Sequence, residues 1–178
     1  MIRTAKVGEI GLLNQLIEQS AWELSQEDYT KEEIEGAIQS IFGVDRELIM
    51  DQTYYVIEKE GALVACGGWS KRKTLFGGDQ CNSREQGFLN PKTDYAKIRA
   101  FFVHPDHARQ GLGKMLLEYC EQQAWLQGFT KMEMMATLPG VKLYHSGGYQ
   151  MVETEYFILP KGNKFKMLKM RKTLNKLD

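Results

Sequence analysis

Residues 104–120 read HPDHARQGLGKMLLEYC. Arg109 stands just before two glycines, Gly111 and Gly113, and an apolar run follows them. Leu112, Leu116, Tyr119, Cys120 and Ala124 recur at helical spacing, and Gly128 closes the run. The preceding AKIRAFFV, residues 96–103, is a short apolar stretch ended by Pro105, the pattern of a buried strand. The order strand, glycine turn, helix gathers unpaired backbone N–H groups and the positive end of a helix dipole at one spot. Such a spot binds anions, phosphate most readily. Gly111 and Gly113 let the main chain approach a ligand where a Cβ would stand in the way. Two familiar phosphate motifs fail here. A Walker A loop would end in Gly-Lys-Ser/Thr, and Met115 follows Gly113-Lys114, with Ala108 in place of the first glycine. A dinucleotide fingerprint starting at Gly111 meets Leu116 at its third glycine. These failures weaken a nucleotide-binding reading.

Outward from this segment, the pattern continues in both directions. IRTAKV suggests a short first strand, and Leu13, Leu16, Ile17, Ala21 and Leu24 form a helical stripe. Thr30 and Glu33 make a capping box before Ile34, Ala37, Ile38 and Ile41, and Gly43 closes that helix. Residues 53–76 read as two strands turning at Glu60-Gly61. Residues 77–94, GGDQCNSREQGFLNPKTD, have no periodicity and exceed the about 12–15 residues at which unstructured loops become uncommon, so the stretch is either a functional flap or disordered. KMEMMATL is a further strand, PGVKLYHSGG a short helix, and YQMVETEYFIL with KFKMLKMRKTL a closing strand pair. With no repeat and no linker, residues 1–178 read as one domain.

Composition narrows the function. Lysines plus arginines equal aspartates plus glutamates at 23 each, so a general nucleic-acid binder, which carries a basic excess, is disfavoured. Three scattered cysteines, Cys66, Cys81 and Cys120, support neither a disulfide framework nor a thiolate zinc site. The N-terminus lacks a signal-peptide core, and no stretch approaches the roughly 18 apolar residues of a membrane span. A reduced, cytoplasmic protein without membrane contact is expected; a homodimer stays open.

VHPDHARQGLGKMLL resembles the acyl-CoA signature of the GNAT N-acetyltransferase superfamily, a strand followed by [QR]-x-x-G-x-[GA] at a helix start. LYHSGGY some 30 residues later and a last strand rich in Met and Lys extend the resemblance over most of residues 1–174. Ala108 departs from the pattern, holding the place of its Gln or Arg, with Arg109 next along. The resemblance implies an α+β fold: a mixed, mostly antiparallel sheet of six to seven strands with helices on both faces, splayed between the fourth and fifth strands. It implies acetyl-CoA as cosubstrate, without a metal, and transfer of the acetyl group to a primary amine of a small molecule or peptide. The main chain of Phe102 and Val103 would pair with pantetheine, and the loop Arg109, Gln110, Gly111, Leu112, Gly113 and Lys114 would take the pyrophosphate. A non-catalytic acyl-CoA-binding regulatory domain is the rival reading.

Acetyl transfer to an amine requires an unprotonated amine and a proton for the departing thiolate. A lysine-like amine of pKa about 10.4 is only about 0.1% neutral near pH 7.4, so a base or a route to water must take its proton. Tyr144, on the short helix, is the candidate acid, at a place where the resemblance puts a tyrosine beside the coenzyme sulfur. Where relatives carry a glutamate as base on the signature strand, this chain has Lys97, which leaves Glu133 on the neighbouring strand as the candidate. His104, before Pro105, reads as a turn residue, and the spacing of His104, His107 and His145 does not suggest a metal site. Trp69 and Arg72, with the 77–94 loop, are the expected acceptor-side residues.

Overall fold

The computed structural model describes residues 1–175. Seven strands, β1 (Ile2–Thr4), β2 (Tyr54–Lys59), β3 (Ala62–Ser70), β4 (Ala96–Val103), β5 (Lys131–Thr137), β6 (Gln150–Ile158) and β7 (Lys164–Thr173), form one sheet in the order β1-β2-β3-β4-β5-β7-β6. Every neighbouring pair is antiparallel except β4–β5. Five helices cover it: α1 (Ile10–Leu24), α2 (Lys31–Ser40), α3 (Arg46–Met50), α4 (Leu112–Leu126) and α5 (Val141–Ser146). This is the mixed, helix-flanked α+β sheet expected from the sequence.

The local signals act as their chemistry requires. Thr30 Oγ1 accepts from the Glu33 N–H at 3.2 Å while Glu33 Oε2 accepts from the Thr30 N–H at 2.9 Å, closing the capping box of α2. Glu60 and Gly61 both take left-handed φ, 50° and 80°, the backbone of a two-residue hairpin turn. Leu116, Leu117, Cys120 and Ala124 of α4 are fully buried on one face of the sheet, with Val64, Ile98, Met132 and Met134. Leu13, Leu16 and Ile17 of α1 pack on Val56 and Cys66 of the other face, and Ile34 and Ala37 of α2 join Phe165 and Met167.

The β4–β5 pair positions the site. Its register covers only Ala96↔Met132 and Lys97↔Glu133, and beyond that rung the two strands part. From Ile98 onward, the edge of β4 that faces β5 has no strand to bond. A bulge accompanies the parting: Ala100 has φ 51°, and the β3–β4 register shifts between Cys66 and Gly68. The Phe101 ring lies against Gly67 so closely that a Cβ there would collide with it, so glycine is required opposite the bulge.

Residues 77–94 contain no helix or β1–β7 strand, yet they are bonded down. Lys73 N–H donates to Gly87 O at 3.1 Å and Leu89 N–H to Lys71 O at 2.8 Å. Arg84 bonds Asp45 at 3.1 Å and Glu47 at 2.7 Å.

Candidate active site

Two cavities meet where β4 and β5 part. The larger, of about 460 Å³, runs between the glycine turn, the exposed edge of β4 and α5, with the C-terminal end of α1 along one side. Phe102, Val103, Arg109, Gly111, Leu112, Gly113 and Lys114 line it, so seven of the eight residues expected to hold coenzyme A come together. Gln110 is the exception. Its side chain turns away, bonding Lys59 Nζ at 3.2 Å and the Asp106 carbonyl at 3.4 Å.

The turn has the backbone its sequence suggests. Arg109 and Gly111 take φ of 63° and 81°, an alternation that points successive N–H groups the same way. Gly111 is the N-cap of α4, whose first amides, from Leu112 to Lys114, have no partner inside the helix. Gly113 lies under Leu143, and a Cβ at this position would stand 2.9 Å from Leu143 Cδ2. His104 Nδ1 accepts from the Asp106 N–H at 3.2 Å, which makes it the cap of the turn before the glycines. Unpaired amides at a helix start, beside an open strand edge, have the donors that a diphosphate with an extended, amide-bearing arm would need. The residues present therefore fit coenzyme A.

The smaller cavity, of about 60 Å³, lies beyond Tyr144. It shares Phe42, Phe101, Phe102, Thr137 and Tyr144 with the larger one. Its other walls come from Ile41, Leu75, Phe76, Met134, Met135 and Met167. None of these was legible as a site residue, because they belong to four separate segments and each reads locally as core. Tyr144 is only 7% exposed and lines both spaces; burial pushes its pKa well up, so it keeps its proton.

Three expected site residues, Glu133, Trp69 and Arg72, lie elsewhere. Glu133 is 4% exposed and lines neither cavity. Lys97 Nζ bonds one of its oxygens, and Arg171 Nε bonds the other at 2.8 Å. Burial alone would raise its pKa, but the bonds from Lys97 and Arg171 outweigh that and hold it below the ordinary carboxylate range. A carboxylate so held is a poor base, and its place at the last β4–β5 rung makes it a brace. Trp69 is 2% exposed, edge-on to Phe129 at 5.8 Å, and so is a core residue with no face for an acceptor. The expected acceptor-side place of Trp69 is closed off because α4 and the loop before β5 cover it. Arg72 is committed to Asp51 through Nε at 2.7 Å and Nη2 at 2.8 Å, with its guanidinium over the Phe88 ring.

A braced ion network stands behind the smaller cavity. Arg99, 3% exposed, donates to Asp45 at 2.9 Å, to Gly77 O at 2.6 Å and to Thr74 O at 3.2 Å. It thereby fixes the segment 74–77, whose Leu75 and Phe76 roof the cavity. Among the described residues no group of three or more His, Cys, Asp or Glu is arranged to hold a metal ion, and no helix is long and apolar enough to cross a membrane.

The splayed parallel pair with a glycine turn at the start of the following helix defines a class, and the comparisons give it a family. The model for the acetyltransferase (GNAT) family matches residues 16–149, and the chain belongs to that family. Its fold is similar to a GCN5-related N-acetyltransferase from Rhodopseudomonas palustris, with a TM-score of 0.72, 16% identity, and 98% of this chain and 95% of that one covered. It is also similar to the PaiA N-acetyltransferase from Thermoplasma acidophilum in complex with coenzyme A (TM-score 0.66, 14% identity, 97% and 98% covered). A third similar structure is YncA from Salmonella typhimurium with its cofactor acetyl-CoA (TM-score 0.64, 15% identity, 100% and 95% covered). No curated protein matches the chain in sequence.

Proposed function

We propose that this chain is an acetyl-CoA-dependent N-acetyltransferase acting on a primary amine of a small molecule or peptide. One observation carries the reading: a large cleft at the diphosphate cradle and a small pocket beyond it share Tyr144 as their common wall. Acetyl-CoA supplies an activated acyl thioester when bound. The backbone of residues 109–114 would hold its diphosphate, with Arg109 and Lys114 adding charge, and the main chain of Phe102 and Val103 would bond its pantetheine arm. Tyr144 keeps a proton for the sulfur that leaves. Phe101, packed on Gly67, fixes the wall against which the two reactants meet.

A second reading has its own support. Glu133 is locked by Lys97 and Arg171, and among the described residues no carboxylate lines the smaller pocket as a ready base, as in a domain that binds acyl-CoA without turning it over. One experiment separates the two. Calorimetry measures acetyl-CoA binding, and release of free thiol is followed against small amines, amino acids and peptide N-termini. Binding with thiol release that depends on the amine is the expected result. Binding with no release for any amine would favour the regulatory domain, and no binding would overturn both.

A further inference from the structure

The smaller pocket lacks what a cationic acceptor would need. Its side-chain walls are Ile41, Phe42, Leu75, Phe76 and the methionines Met134, Met135 and Met167, with Ile98 at its floor. Only Arg99 and Tyr144 among its lining residues titrate. Behind the wall, Asp45 is taken by Arg99 and Arg84, Cys81 packs on Gly77, and Glu133 is taken by Lys97 and Arg171. Lys142 of α5 faces the larger cleft. An ammonium ion entering here would lose its water, find no carboxylate among the lining residues, and sit near a guanidinium. Each of these disfavours the charged form.

Resting on the acetyltransferase reading above, we propose that the acceptor is an amine carried on a compact apolar group, and that it enters the pocket uncharged. Its ammonium proton stays in bulk water, so the protein needs no carboxylate base. The nitrogen lone pair then forms the bond to the acyl carbon as the carbon–sulfur bond breaks. The sulfur takes the Tyr144 hydroxyl proton, the newly acylated nitrogen gives its surplus proton to water, and Tyr144 regains one from water, so that one proton has passed in net from nitrogen to sulfur. The 60 Å³ volume admits a short alkyl group or one edge of an aryl ring reaching in from the cleft, and flexible methionines line much of it, which suits a snug apolar fit. Amines that are neutral near pH 7, such as arylamines, escape the proton cost altogether.

The test uses isobutylamine, aniline, ethylenediamine and β-alanine with the full-length protein. For isobutylamine, an aliphatic amine of pKa near the lysine value of about 10.4, kcat/KM should rise about tenfold per pH unit between about pH 6.5 and 8.5, while aniline stays flat. Calorimetry of amine binding in two buffers of different ionisation enthalpy gives a readout free of turnover. About one proton should be released per isobutylamine bound, and none for aniline. Leu75→Glu, on the roof loop, should abolish that release by giving the ammonium a partner, and the wild-type measurements stand without it. Binding of isobutylamine without proton release, a flat pH profile, or preference for ethylenediamine or β-alanine would overturn the proposal. Failure of the acetyltransferase reading is seen separately, as absent thiol release with every amine, while the binding calorimetry still reports on the pocket.

Discussion

The ring of Tyr144 stands 6.2 Å, centroid to centroid, from that of Phe101, and Phe101 is held there by the bulge in β4 and the bare surface of Gly67. Tyr144 itself rides on α5, after β5. The pair therefore spans the gap where the two strands part, and it forms the wall between cleft and pocket. The hydroxyl's position depends on three elements at once.

Tyr144→Phe keeps that packing and removes the proton. General acid catalysis is typically worth about 10²–10⁴-fold, so kcat should fall within that range while the acetyl-CoA dissociation constant changes little. Saturating-acceptor kinetics paired with direct binding measures both. Full activity in the variant would show that the sulfur leaves without help from this hydroxyl.

Gly113→Glu should abolish acetyl-CoA binding. The new Cβ meets Leu143 at 2.9 Å, and the carboxylate adds negative charge at the amides of the α4 N-terminus. Gly111→Ala probes a different property, since its Cβ would meet nothing within 4 Å but must adopt φ 81°. A penalty of about 1 kcal/mol in stability is expected, with binding weakened less than in the Gly113 variant. Calorimetry and thermal melts distinguish the two.

Glu133 predicts a pH effect on stability. Its folded-state pKa is below the ordinary value of 4.5, so the unfolded chain binds its proton more tightly. The stabilisation is therefore complete above that ordinary value and fades as pH falls through the lower, folded one. Glu133→Gln should remove this part of the acid limb of the stability curve. It also leaves Lys97 without its buried partner, which should cost about 3–5 kcal/mol at neutral pH. Denaturant melts between about pH 3 and 7 give both results.

Arg84 ties the 77–94 loop to Asp45 and Glu47 from a position where its side chain is 26% exposed. Arg84→Met should loosen the loop without emptying the core, because Arg99 still holds Asp45. Faster amide exchange across residues 77–89 and a several-fold rise in acceptor KM are expected, with acetyl-CoA affinity nearly unchanged. Unchanged kinetics with every acceptor would make the loop a passive cover.

The elements themselves were legible in the chain. The capping box at Thr30 and Glu33, the Glu60-Gly61 turn and the strand, glycine turn and helix around residue 111 depend on neighbours within a few positions, and local chemistry is enough to specify them. The geometry of the glycine turn was legible for the same reason: it is set by the backbone of one short loop. What tertiary structure alone decided is where distant side chains end up. Whether Glu133 faces solvent or an ion pair depends on Lys97, 36 residues earlier, and Arg171, 38 residues later. A period-two strand pattern cannot distinguish a free carboxylate from a braced one. Trp69 was placed on the acceptor side from the resemblance, and no local signal shows that Phe129, 60 residues later, covers it. The apolar pocket draws Phe42, Phe76, Met135 and Met167 from separate elements, so its character arises only when β4 and β5 part and those elements close around the gap.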